Sequence, residues 1–206
     1  MKAPESIFVT TGESKLHLRH FFPANSDSVS AGHTRVAFCV HGAIENGRIF
    51  YSAKNHERGF APYLARLGFH VYVADLGGRG QSTPPIQRGS AYSQNATITA
   101  EIPAMVRAIR ERHPEGTEET WVSHSWGGVL LHAVLARYPE LRKPVHAEIF
   151  FSTKRSITVW NLERLIKITL GWYFIGPWLV RRHGYLPARE RGWGSDNETR
   201  ETLRES

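Results

Sequence analysis

From Arg35 onward, short apolar runs alternate with segments of helical period. RVAFCVHG (35–42), FHVYVADL (69–76), TWVSHS (120–125) and VHAEIFFS (145–152) are nearly continuous in apolar residues, as strands covered on both faces must be. Between them lie three predicted helices. In HERGFAPYLARL (56–67), Pro62 marks the first turn of a helix starting near Ala61, and Gly68 stops it. Ile102, Met105, Val106 and Ile109 recur at helical spacing within 97–112, and WGGVLLHAVLARY (126–138) is a small-residue-rich helix ending before Pro139. This alternation predicts an α/β fold, a doubly wound and mostly parallel sheet with right-handed crossovers. Upstream, IFVTT and KLHLRHFF flank Thr-Gly-Glu-Ser and predict a hairpin, followed by a polar loop over 24–33. Downstream of Phe151 the alternation stops. Residues 156–183 are dense in Trp160, Leu162, Leu165, Ile166, Trp172, Tyr173, Phe174 and Trp178, and the chain closes on the polar stretch GSDNETRETLRES. The expected division is therefore a core over 1–155 and an apolar helical segment with a polar tail over 156–206.

Length and composition narrow the class. A chain of 206 residues, 41% hydrophobic and 22% charged, can bury one sizeable core. The net charge of +7 comes largely from Lys and Arg scattered late in the chain. They are not clustered with stacking aromatics and fit no nucleic-acid-binding motif, so a solvated basic surface is expected. Cys39 is the sole cysteine; it can form no intrachain disulfide and is expected to be buried and inert. The stretch MKAPESIFVTTGESK has no apolar core of a signal peptide. Ile168–Val180, broken by Gly171, Gly176 and Pro177, is too short to span a bilayer. A cytoplasmic location is expected, with at most weak association of the basic, Trp-rich stretch 160–183 with a membrane surface.

The chemistry concentrates at three strand ends. SHSWGG (123–128) lies where a strand becomes a helix, the setting of a nucleophile elbow that lifts a serine hydroxyl out at the sheet's C-terminal edge. Small residues are required on both sides of that serine; Gly127 meets the need, and Ser123 stands where glycine is usual. HGAIENGRIF (41–50) follows the first long strand and DLGGRGQS (75–82) the second. GGRG lacks the spacing and immediate helix of a dinucleotide fingerprint. Neither a cofactor nor a metal is expected.

Together these three elements, in this order, resemble the α/β-hydrolase superfamily, and His41-Gly42-Ala43-x-Glu45 with Arg48 resembles its monoacylglycerol-lipase and serine-aminopeptidase-like branch. The resemblance covers about residues 7–152. It implies that Ser125 is the nucleophile and that the backbone N–H groups of Trp126 and Ala43 form the oxyanion hole. It also implies that His41 and Gly42 brace the oxyanion loop, and that Asp75 and Arg79 hold the loop beneath the elbow. The 156–190 segment resembles the helical cap of such enzymes, an apolar roof for acyl groups.

A serine also needs a base oriented by an acid, and in this fold the order is Ser, acid, His. Only His132, His146 and His183 follow Ser125. His132 lies in the elbow helix and His146 opens a strand at the far edge, which leaves His183 as the candidate base if its segment folds over the site. Asp196, the sole later Asp, follows all three, and Glu148 lies within a strand. Two readings stay open. One is a serine hydrolase of small-molecule, apolar carboxylic esters, of which this is the N-terminal part; the other is a truncated or degenerate, non-catalytic relative that binds an apolar ligand or a partner.

Overall fold

The computed structural model describes residues 2–24, 34–156 and 158–206. The expected loop over 24–33 lies, apart from Ala24, outside the described residues. Six strands make one sheet: β1 (Glu5–Thr11), β2 (Ser14–Phe21), β3 (Arg35–Val40), β4 (Phe69–Asp75), β5 (Glu118–His124) and β6 (Val145–Phe151), in spatial order β1-β2-β4-β3-β5-β6. The hairpin β1–β2 joins β4 antiparallel; the pairs β4–β3, β3–β5 and β5–β6 are parallel. The sheet is thus mostly parallel and alternates with helices, as the apolar runs predict.

Period-two alternation explains why those runs are continuous. Val36, Phe38, Val40, Tyr72, Ala74 and Trp121 pack in one core with the helices of one face. Ala37, Cys39, Val71, Val73 and Val122, the intervening residues, pack in a second core beneath helix α1 (Phe60–Arg66). Cys39 is fully buried, and burial pushes its thiol well above the ordinary range, as befits an inert thiol. Helix α1 begins one residue before Ala61, and Gly68, at φ 89°, turns the chain into β4.

Helix α2 (residues 94–110) starts with Ser93 capping the Ala96 N–H and passes through a π-helical turn, Thr97–Glu101, before Ile102–Arg110. Pro103 accounts for that turn: it has no N–H for the Thr99 carbonyl four residues back. The Tyr138 hydroxyl donates to that carbonyl instead, at 3.4 Å. Helix α3 (Trp126–Arg137) follows β5 directly.

The strand order reverses at β3, whose neighbours β4 and β5 come later in the chain, so a crevice opens beyond the C-terminal ends of β3 and β5, where ligands bind in open α/β sheets. On the far side of β5 lies β6, which has no further strand beside it among the described residues. Phe150 and Phe151 stay exposed there. Helix α4 (residues 162–183) is π-helical over Leu165–Ile175 and leaves Leu162, Leu165, Ile166, Tyr173, Phe174 and Trp178 exposed, with Trp160 just before it 77% exposed. No helix among the described residues is long and apolar enough to cross a membrane.

The closing polar stretch has structure of its own. After Gly184 ends α4 in a left-handed turn, a short ribbon of β7 (Tyr185–Leu186) and β8 (Glu198–Thr199) forms, then helix α5 (Arg200–Glu205). Glu198 is fully buried, and Asp196, Thr199 and Thr202 are buried with it. Their polarity is satisfied by the loops above the sheet rather than by water.

Candidate active site

Ser125 ends β5 with φ 50° and ψ −122°, a conformation that costs on the order of 1–3 kcal/mol and persists only where its surroundings impose it. They do so from three sides. Its N–H donates to the Phe151 carbonyl at 2.8 Å, tying the turn to β6. A Cβ on Gly42 would lie 2.8 Å from the Ser125 Cβ, and one on Gly127 would lie 2.5 Å from the carbonyl oxygens of both Val40 and His41. The elbow therefore fits because the ends of β3 and α3 approach to a distance only glycine allows. Ser125 itself is half-exposed.

The N–H groups of Ala43 and Trp126 have no hydrogen-bond acceptor among the described residues. Trp126 is the first residue of α3, where the helix leaves its N–H groups free and favours negative charge. Its indole N–H donates to Gln94 Oε1 at 2.9 Å, fixing the start of α3 against the start of α2.

His41 is buried beneath this loop. The Leu76 N–H donates to its Nε2 at 3.1 Å, so the proton sits on Nδ1, which donates to the Gly42 carbonyl at 2.8 Å. Burial first, then the nearby Arg79 charge, lower its pKa to about 4. A neutral imidazole with both nitrogens engaged braces the ends of β3 and β4 and takes no proton from Ser125.

Asp75, at the end of β4, binds the loops on either side. Its Oδ1 accepts from the Gly47 N–H at 2.7 Å; its Oδ2 accepts from the Gln81 N–H at 3.0 Å and from His17 Nδ1 at 2.8 Å. Burial pushes this carboxyl up, but the bonds to His17, Gln81 and Gly47 prevail and hold it below its ordinary value. Arg79 donates to the Gly77 carbonyl at 2.8 Å and pairs with Glu198.

The closing stretch straps the loop that follows β3. Ile44 sits at φ 52°, in the left-handed region that β-branched residues avoid. Its N–H donates to Glu198 Oε2 at 3.3 Å, and its carbonyl accepts from the N–H groups of Ser195 and Asp196 at 2.9 and 3.2 Å. Asp196 Oδ2 accepts from Asn46 Nδ2 at 2.6 Å and from the Gly80 N–H at 2.8 Å. These contacts hold Ile44, and with it the adjacent Ala43 N–H, in place.

Sequence reasoning passed over Glu45 and His124 as partners. Glu45 Oε2 accepts from the Gly42 N–H at 2.9 Å and from His124 Nδ1 at 2.8 Å, linking the loop after β3 to the residue before Ser125. Both lie inside the motifs HGAIE and SHS, the signal that could have found them. Glu198 carried no such signal.

None of the later histidines reaches Ser125 through a hydrogen bond, ion pair or ring contact among the described residues. His183 ends α4, with the Tyr185 ring 6.4 Å from its own, and the next residue, Gly184, packs on Arg88. The His183 Nε2 is buried with no partner among the described residues, while Trp172, Leu179 and Val180 of α4 pack in one cluster with Ile44 of the loop after β3. His132 stacks on Phe150 with ring centroids 4.7 Å apart and lies 3.8 Å from Glu148. His146 opens β6, at the opposite edge from the elbow. Asp196 is engaged with Asn46 and Gly80, away from any histidine. Among the described residues no group of three or more His, Cys, Asp or Glu side chains could hold a metal ion.

The fold has counterparts in solved structures. The thioesterase domain from the curacin biosynthetic pathway superposes with a TM-score of 0.55 at 22% identity, covering 85% of this chain and 54% of that one. The haloalkane dehalogenase DatA from Agrobacterium tumefaciens gives 0.56 at 17%, covering 87% and 55%. An epoxide hydrolase variant from Vigna radiata gives 0.53 at 17%, covering 84% and 47%. At such identities the likeness speaks for the fold alone, and the chain spans about half the length of these structures. No curated protein matches it. Residues 38–175, from β3 through the elbow and into α4, match the α/β-hydrolase fold family as a whole. With the strand order, the strained serine turn and this match, the chain belongs to the α/β-hydrolase family.

Proposed function

We propose that this chain is the nucleophile-bearing, N-terminal part of a serine hydrolase of carboxylic esters, in the monoacylglycerol-lipase and serine-aminopeptidase-like branch. The observation that carries the reading is the strained Ser125 turn flanked by two backbone N–H groups, of Ala43 and Trp126, that have no acceptor among the described residues. Ser125 Oγ would attack the ester carbonyl carbon. The two N–H groups would hold the oxyanion, each worth roughly 3 kcal/mol at the transition state. Serine at this position suits an acyl-enzyme. The acid and base would come from strands that extend the sheet past β6, whose edge and exposed Phe150 and Phe151 suit such an extension. In this reading 1–155 is the core, 156–206 holds the cap, and the exposed aromatics of α4 roof an apolar acyl group. Arg164 and Lys167 beside them suit weak contact with a membrane surface, and the protein works in the cytoplasm.

The second reading, a non-catalytic relative that binds an apolar ligand or a partner, is favoured by one observation: among the described residues no later histidine makes a hydrogen bond, ion pair or ring contact with Ser125, and Asp196 is engaged with Asn46. Labelling of the purified chain by an alkyl fluorophosphonate, mapped to peptides, tests the first reading, with Ser125→Ala as control. Labelling at Ser125 that the substitution abolishes supports an activated elbow serine. A folded chain unlabelled there favours the second reading for this chain taken alone.

A further inference from the structure

The described residues contain one continuous serine–histidine–carboxylate chain, and Ser125 is not in it. It runs from Ser6 on β1 through His17 on β2 to Asp75 on β4. Ser6 Oγ lies 2.9 Å from His17 Nε2, and His17 Nδ1 lies 2.8 Å from Asp75 Oδ2. The hairpin register creates it: Ser6 pairs with Arg19 and Phe8 with His17, which puts Ser6, His17 and Arg19 on one face, while His17 pairs with Asp75 across β2 and β4.

Proton bookkeeping fixes the roles. The Asp75 carboxylate can only accept, so in the neutral ring Nδ1 carries the proton and Nε2 offers its lone pair. Arg19 Nη1 donates to Ser6 Oγ at 2.9 Å. The Ser6 hydroxyl, already accepting from Arg19, therefore donates its proton to His17 Nε2. That is a nucleophile–base–acid relay, recognised by geometry rather than by position in the chain.

Its surroundings are those of an accessible nucleophile on an oriented base. His17 is fully buried and Asp75 3% exposed, whereas Ser6 is exposed. The guanidinium of Arg19, whose Nη1 donates to Ser6 Oγ, favours an alkoxide there. Phe8, half-exposed and packed on the His17 ring at 5.3 Å, offers an apolar wall.

We infer that Ser6, His17 and Asp75 form a second nucleophilic site, open to small carboxylic esters and independent of the elbow. Ser6 Oγ attacks the acyl carbon while its proton passes to His17 Nε2. The ester C–O bond breaks, and His17 returns the proton to the departing alkoxide. Water then attacks acyl-Ser6 by the same proton path, releasing the acid and restoring the hydroxyl.

The same fluorophosphonate experiment separates the two sites when read on tryptic peptides, residues 3–15 for Ser6 and 113–137 for Ser125. The expected result is modification at Ser6 that disappears in Ser6→Ala and persists in Ser125→Ala. His17→Gln should slow it about 100-fold. His17 is buried, so circular dichroism must show that this variant folds, and a second measurement uses the unmodified chain: unfolding it in urea, which takes the relay apart, should abolish the Ser6 labelling. A folded chain whose 3–15 peptide stays unlabelled, or is labelled no faster than the urea-unfolded chain, overturns the inference. Labelling of 113–137 reports on the elbow separately.

Discussion

Replacing Gly127 by alanine probes the close approach on which the elbow depends. The added Cβ would stand 2.5 Å from two backbone oxygens, those of Val40 and His41. To reach ordinary contact near 3.4 Å, the start of α3 must retreat by about 0.9 Å from the end of β3. Neither oxygen can rotate away, so the cost lies at the upper end for overpacking, about 3 kcal/mol. Alanine regains roughly 1 kcal/mol of helix propensity over glycine, leaving a net loss of about 2 kcal/mol. In thermal unfolding followed by circular dichroism, a chain of this size should lose roughly 4–8 °C. Gly128→Ala is the matched control. It carries the same propensity gain, but its Cβ would meet side-chain atoms, of Thr153 and Ser123, in place of backbone oxygens. It should cost less stability than Gly127→Ala, because side chains yield at lower cost than a strand end. Equal shifts for the two variants, or a Gly127→Ala protein as stable as the parent, would refute the packing argument.

Ser125→Gly should abolish labelling at the elbow yet raise stability by about 1 kcal/mol, because glycine adopts φ 50° without strain; a drop in urea midpoint would count against strain there. Stability should also depend on acid. Burial lowers the pKa of His20 and of His113 to about 4, from an ordinary 6.5. Between those values the unfolded chain binds protons first, so stability is complete above pH 6.5 and is lost as pH falls toward 4. His20 alone should cost about 2 kcal/mol at pH 5, and a flat melting temperature from pH 7 to 4.5 would contradict this. Finally, Trp160→Ser with Phe174→Ser, at 77% and 65% exposure, should cut binding of the dye ANS while moving the melting temperature by less than about 2 °C. Unchanged dye binding would mean that these side chains do not form the exposed patch.

The core strands, the helices between them and the elbow were legible because their determinants are local. A strand buried on both faces needs an unbroken apolar run, and VAFCV and VYVA are such runs, with alternate residues shared between two cores. A turn as tight as that at Ser125 needs small neighbours, and Gly127 marks it. The Pro103-driven π-helical turn was present in the sequence but not read, since proline's loss of an N–H does not say where the helix will absorb it.

What only the tertiary structure decided concerns polar residues far apart in the chain. GSDNETRE reads only as a polar tail, with no partner written in it; in the structure Asp196 meets Asn46 and Gly80, and Glu198 meets Ile44 and Arg79. Ser6, His17 and Asp75 carry no shared motif; sheet order and hairpin register bring them into line. His183 shows the converse: a candidate base by chain order, it ends α4 at the Gly184 turn and makes no hydrogen bond or ion pair with Ser125 among the described residues. Apolar burial is written into local pattern because every residue of a run shares the same need. The partner of a buried polar group is a specific atom elsewhere, and the packing of the whole chain selects it.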